Sequence, residues 1–242
     1  RPLEIILSDD HSHDNSLMLA AEVLSSGDIP FQIVSHHPSG IGANWNHCVR
    51  HASGQYIKFL FQDDILHPDC VAEMVTFAEE KGAQIGLVFC QRQTFGENSH
   101  LAINLEAIQR HFPEVIMGKW LIGRSDFYTQ PRNKIGEPTA VMLRSDVFET
   151  VGYFAENLRQ SLDYEFWYRC AAQYQLGFVR KTLVKFRLHH VQATAVNQKQ
   201  VIADRYRLPW LLLKTHWASL QLKVKIVLIY KIITGWMVCK IS

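Results

Sequence analysis

Two pairs of adjacent acids offer the most definite chemistry in the sequence. Asp9-Asp10 and Asp63-Asp64 each follow a short apolar run, residues 3–8 in the first case and 56–61 in the second. An unpartnered ionised carboxylate is very costly in apolar surroundings, so acids at such positions require a cation or hydrogen-bond donors. A hard divalent cation, Mn²⁺ or Mg²⁺, accepts carboxylate oxygens and keeps coordination sites for phosphate oxygens, which suits a site from which a diphosphate departs. A second reading stands beside it, with Asp63-Asp64 capping a helix that begins near Pro68. The turn from Asp9 to Asp14 is equally open. Asp14 can cap the next helix, while a carboxylate at a strand end can accept from a base N–H or a ribose hydroxyl.

Ligands sit at the carboxyl ends of strands in an open parallel sheet, so the elements around these acids decide whether they share a site. Short apolar runs alternate with amphipathic stretches, the pattern of an α/β fold with a mostly parallel central sheet flanked by helices. Residues 3–8, 31–34, 56–61 and 85–89 predict strands, and 15–24, 43–52 and 69–80 predict helices. In the last of these Val71, Met74, Val75 and Ala78 have the spacing of one buried face, and Gly82 ends it. Residues 94–133 show no clean period and predict loops and short helices. Beyond Thr139 the pattern resumes as a strand at 140–143, helices at 145–150 and 163–174, extended chain at 178–187 and apolar helix from Trp210 onward.

The 242 residues suit one catalytic α/β domain, residues 1–195, followed by a basic, apolar helical extension, 196–242. The net charge of +2 is uneven. From Gln198 onward eight Lys or Arg stand against Asp204, giving +7 and leaving −5 for the rest. A basic tail whose charges alternate with large aliphatics points to a membrane surface and away from nucleic acid. Five scattered cysteines, without a CxxC pair or zinc spacing, read as reduced thiols of a cytoplasmic protein. No signal peptide is visible, and the sequence opens at Arg1 almost inside an apolar run.

Five stretches, LEIILSDDHSHDNS, NWNHCVRHASGQYIKFLFQDD, IGEPTAVMLRSDVFETVGYF, LDYEFWYRCA and FRLHH, resemble in their order the successive motifs of family 2 glycosyltransferases with the GT-A fold. They span Leu3 to His190. The resemblance implies an inverting transfer from a nucleotide-diphosphate sugar to an acceptor hydroxyl of a glycan or lipid-linked molecule, as in bacterial surface polysaccharide or glycolipid assembly. It implies that Asp10, with Asp9 beside it, contacts the nucleotide base. Asp63 and Asp64 then bind ribose and the metal, Asp64 being the ligand and Asp63 its neighbour. Asp163 becomes the general base, with Glu165 as the alternative, although a residue two positions on along a helix faces away from it. Arg187 would pair with phosphate and His189 approach the metal, with His190 an equally placed neighbour. Asn46 matches an asparagine of the nucleotide site, and Glu137 lies where the acceptor loop runs.

Three departures accompany the resemblance. Trp45 replaces a family arginine, Phe61 replaces a leading acid, and nothing before Arg1 supplies the family's first strand and helix, so donor binding is expected to suffer without them. Two other readings remain: a non-catalytic nucleotide-sugar-binding or assembly protein of the same fold, and a metal-dependent nucleotidyltransferase. The nucleotidyltransferase would need a basic Gly-rich loop that the sequence does not show. Residues 226–239 are almost wholly apolar yet short for a bilayer span, so the tail either lies in a membrane interface or packs on protein.

Overall fold

In the structure, a computed structural model describing residues 3–97, 99, 102, 104–123, 133–158, 160–190, 192 and 198–239, the chain alternates strands and helices. The first half runs β1 (Ile5–Asp9), α1 (Ser16–Ser25), β2 (Phe31–Ser35), α2 (Ile41–His51), β3 (Tyr56–Lys58), β4 (Ile65–Leu66), α3 (Cys70–Lys81) and β5 (Ile85–Gly96). The second half runs α4 (Leu105–Gln109), β6 (Val115–Ile116), α5 (Gly118–Gly123), β7 (Val141–Arg144), α6 (Val147–Val151), α7 (Leu162–Gln173), β8 (Gln175–Leu188), α8 (Gln198–His216) and α9 (Leu222–Cys239).

Helices flank two sheets. β1 and β2 pair in parallel from Ile5↔Phe31 to Asp9↔Ser35. The larger sheet runs β3-β7-β5-β8-β4, with β6 also on β8. The α/β class with a central sheet and flanking helices stands as expected, but the strand sense is mixed and not mostly parallel. β1/β2 and β5/β8 are parallel, whereas β3/β7, β5/β7, β4/β8 and β6/β8 are antiparallel. An apolar run reports burial on both faces, and Ile85 to Cys90 of β5 are buried whichever way their neighbours run.

β5 and β8 form the longest ladder, from Ile85↔Gln175 to Gly96↔Leu188, with register shifts around Cys90, Gln91 and Arg92. These irregularities absorb the greater length of β8, which has 14 residues against 12 in β5. The first half of the ladder lies in the core, where Phe89 stacks on Phe178 at 4.8 Å between ring centroids. Its far half reaches the polar end of the sheet. β5 therefore outruns the predicted 85–89. The predicted strand 56–61 stops at Lys58, because Phe59 and Phe61 leave the ladder to pack against Trp45.

The extension shares the core of the preceding chain. Leu208 and Leu212 of α8 and Val224 and Leu228 of α9 are buried in the same cluster as Tyr164, Phe166 and Trp167 of α7. Asp204 of α8 is fully buried, and its Oδ2 accepts from the backbone N–H groups of Gln160 (2.6 Å) and Ser161 (3.1 Å) at the start of α7. A carboxylate at a helix N-terminus satisfies orphan donors and complements the dipole. Asp204→Ala should strand those donors and lower stability by about 1–3 kcal/mol. For a chain of this size that is a fall in Tm of roughly 2–10 °C in a thermal melt. An unchanged Tm would show that the contact contributes nothing.

Candidate active site

Asp64 is the most constrained of the acids. It follows β3 in the turn before β4, where Oδ2 accepts from Thr139 Oγ1 (2.5 Å) and Oδ1 from the backbone N–H of Arg187 (3.1 Å). Only 9% of its surface is exposed. Burial raises its pKa, the Thr139 hydroxyl and Arg187 N–H oppose that, and the charges of Asp63 and Glu137 add to the rise. Lys58, at the end of β3, donates to the carbonyls of Thr139 and Phe59, and burial lowers its pKa while Asp64 is among the groups that support its charge.

Asp63 points to the last strand. Its Oδ2 lies 2.9 Å from His189 Nε2, and its carbonyl accepts from Arg187 Nε at 3.0 Å. The Arg187 guanidinium lies 4.5 Å from the Phe95 ring centre. The two histidines thus separate, since His190 Nδ1 faces Glu97 Oε2 at 2.9 Å on the exposed side. A hydrogen bond between His189 Nε2 and Asp63 Oδ2 uses the lone pair or proton of that nitrogen, so ligation through it requires giving up this contact.

At the start of α7, Asp163 Oδ2 accepts from Asn133 Nδ2 at 2.7 Å, while Oδ1 is buried with no hydrogen-bond partner among the described residues. Asn133 also donates to Gly136 O and accepts from the N–H of Ile135 and Gly136, so one carboxamide fixes both the turn and the acid. Burial pushes the Asp163 carboxyl up to about 7. The Tyr164 N–H and Asn133 act against this shift and the Glu137 charge acts with it. Glu137 pairs with Arg92 at 2.5 Å, a contact poorly aligned for a hydrogen bond, and Arg92 lies 5.2 Å from the Phe186 ring centre. Glu165 is turned away and held by Arg169 through two contacts of 2.8 and 2.9 Å.

The β1 acids differ from each other. Asp9 accepts from the Ser12 hydroxyl (2.5 Å) and N–H (2.9 Å), and the hydroxyl bond is the main cause of its lowered pKa. Asp10 stays exposed, with Oδ1 3.8 Å from His36 Nε2. Asn46 is committed to the fold. Both its donors and its oxygen are used, by Phe154 O (3.0 Å), Glu156 Oε1 (2.8 Å) and Phe154 N (2.9 Å), leaving no donor for a nucleotide. Trp45 and Phe61, the replacements noted in the sequence, stack on each other at 5.2 Å.

The structure therefore gathers Asp63, Asp64, Arg187, His189 and Thr139 at one place, with Glu137 electrostatically coupled to both Asp64 and Asp163. The sequence did not single out Lys58, Arg92, Asn133 and Thr139. Lys58 was the visible signal, a charge inside an otherwise apolar run. No group of three His, Cys, Asp or Glu among the described residues is spaced to hold a metal by itself. A cation that keeps waters and phosphate oxygens needs only one or two carboxylates from protein, and the adjacent Asp63 and Asp64 fit that demand.

Comparison with known proteins bears on the family and the fold. Residues 1–152 match the model of glycosyl transferase family 2. An uncharacterized Mycobacterium tuberculosis protein is 28% identical over 86% of this chain and 66% of its own length. An uncharacterized glycosyltransferase of Rickettsia prowazekii is 24% identical over 84% of this chain and 60% of its own. The chain thus spans about three fifths of these relatives. Among solved structures, Staphylococcus aureus TarS 1–349 superposes with a TM-score of 0.66 at 15% identity, covering 96% of this chain and 61% of that one. The Pyrobaculum calidifontis mannosyltransferase PcManGT, in complex with GDP-Man and Mn²⁺, superposes with a TM-score of 0.60 at 15% identity, covering 94% and 70%. These likenesses establish the GT-A fold.

The raised Asp163 carboxyl has a consequence for stability. An acid whose pKa is higher folded than unfolded loses stability as pH rises from about 4 to about 7, because the unfolded chain releases its proton first. Asp163→Asn mimics the protonated acid. It should leave Tm nearly unchanged at pH 4 and raise it by several degrees at pH 8; an equal effect at both pH values would show that the carboxyl titrates normally.

Proposed function

The chain belongs to glycosyl transferase family 2, and on that premise we propose that it transfers a sugar, with inversion, from a nucleotide-diphosphate donor to an acceptor hydroxyl. The observation that carries this reading is Asp163, whose buried, unpartnered Oδ1 and pKa of about 7 suit a general base. Oδ1 takes the proton of the acceptor hydroxyl as that oxygen bonds to the anomeric carbon, and the bond from that carbon to the diphosphate oxygen breaks. Asn133 keeps Oδ2 occupied, so Oδ1 is the oxygen left to take the proton. Glu137, anchored by Arg92, lies close enough to be felt at Asp163 and serves the acceptor side.

On the donor side, Asp64 and Asp63 would hold Mn²⁺ or Mg²⁺, and His189 would approach the ion once its contact with Asp63 is given up. The ion when bound neutralises charge on the departing diphosphate. Arg187 adds a guanidinium beside Asp63, suited to phosphate. Asp10, just past the end of β1, is the exposed acid of this pair and takes the base, while Asp9 shapes the turn through Ser12. Asn46 supports the site through the Phe154–Glu156 backbone and side chain rather than by touching nucleotide. A glycan or glycolipid acceptor of a bacterial surface polymer fits this chemistry.

Solved neighbours have been captured with UDP-GlcNAc and with GDP-Man and Mn²⁺, which sets the probes. A panel of UDP- and GDP-sugars should give Mn²⁺-dependent nucleoside-diphosphate release with a suitable acceptor. Asp163→Asn should cut turnover by about 100-fold or more while donor binding by calorimetry persists. Asp64→Ala should remove the metal-dependent part of donor binding. Undiminished turnover in Asp163→Asn would overturn the base assignment, and binding without turnover across the panel would favour a non-catalytic nucleotide-sugar-binding protein.

A further inference from the structure

α9 is apolar on two opposite sides, and its packing explains one of them. Val224 and Leu228 are buried against the rest of the molecule, with Leu228 lining a small crevice with Leu208, Pro209 and Leu212 of α8 and Tyr164 and Tyr168 of α7. The other side is exposed: Leu222 by 73%, Ile226 by 58%, Ile229 by 40% and Ile233 by 54%. At about 100° per residue these four fall within an arc of roughly 60°, opposite Val224 and Leu228. Lys223 and Lys225 flank the stripe, roughly 80° to either side. Exposed aliphatics in such a row are uncommon on a soluble face and mark a surface that something covers.

Charge identifies what covers it. The tail from Gln198 carries eight basic residues and one acid, and that acid, Asp204, is fully buried at the start of α7. Lys225 lies 4.5 Å from the ring centre of Trp217, which is 53% exposed, and Lys214 lies 5.2 Å from that of Trp210, which is 55% exposed. Tryptophan and lysine side by side, each with an apolar body and a polar tip, suit the level of lipid headgroups. No described helix is long and apolar enough to cross a membrane. We propose that the exposed stripe of α9, with its flanking lysines and Trp217, docks this chain in-plane on an anionic lipid bilayer. The inference stands apart from the sugar-transfer reading, since none of its residues belongs to that site.

Flotation of the full chain with vesicles tests it. The chain should float with phosphatidylcholine vesicles containing phosphatidylglycerol, not with phosphatidylcholine alone, and added salt should weaken the binding. Ile226→Ser with Ile229→Ser and Ile233→Ser, and separately Lys223→Glu with Lys225→Glu, should each lower vesicle affinity at least about tenfold. Melting temperature should hold in both, and the charge pair decides should the serine set unfold. Absence of flotation with anionic vesicles, or unchanged flotation in the charge-reversed chain, would overturn the proposal. So would a dimer in sedimentation velocity that the serine set dissociates, since the stripe would then be covered by a second copy.

Discussion

A single buried carboxylate sets the geometry of the site. Asp64 cannot stay ionised in its surroundings without donors, and the two it takes come from Thr139 and from the backbone of Arg187. Those residues lie 75 and 123 positions away in the sequence. Meeting the demand of one side chain therefore draws the turn before β7 and the far end of β8 onto the acid pair. Arg187 and His189 arrive beside Asp63 as a consequence. The long β5–β8 ladder is what lets β8 be both core strand and site wall, with its irregular register separating the two halves.

A second carboxylate is handled in the opposite way. Asp163 sits at the start of α7, where the helix dipole and the Asn133 donor both favour its charge. Burial and the Glu137 charge outweigh them, and the carboxyl is left near neutrality with one oxygen unsatisfied. A stable fold would satisfy that oxygen. Leaving it bare is the kind of local cost that a site tolerates when the group must exchange a proton. The helix start remains intact because Asp204, from the far end of the chain, caps the Gln160 and Ser161 donors instead. Two acids meet one helix end, and it is Asp204 that takes the backbone donors there.

Much of this was legible in the sequence, and the failures have physical causes. Acids at strand ends are readable because burial next to apolar runs demands a partner, and that logic located Asp9, Asp10, Asp63 and Asp64. Helical spacing correctly turned Glu165 away from Asp163. Spacing could not separate His189 from His190, because both lie just past the end of β8, where the turn and not strand alternation decides which ring meets Asp63. Asn46 read as a nucleotide contact because its type and position fit, whereas its partners, Phe154 and Glu156, lie 108 and 110 residues downstream. Strand sense was lost because burial on both faces looks the same in parallel and antiparallel ladders. Trp45 and Phe61 looked like two separate departures. The structure makes them one, an aromatic stack of which each supplies half.

The tail shows how a weak periodic signal can carry two meanings. α9 gives little amphipathic contrast because apolar residues occupy both its inner and outer faces, so the pattern fits a packed helix and an interfacial one equally. The structure assigns Val224 and Leu228 to packing and leaves the Leu222-to-Ile233 row to the outside. The choice posed by the sequence, membrane or protein, was therefore not exclusive. The same geometry makes deletion of the tail a poor probe of either role. Removing α8 would take away Asp204 and the buried Leu208 and Leu212 together, opening the core around α7 and uncapping the helix that carries Asp163. Loss of activity after such a deletion would report a damaged site, whatever the outer face does, so the two faces can be told apart only by changes confined to exposed side chains.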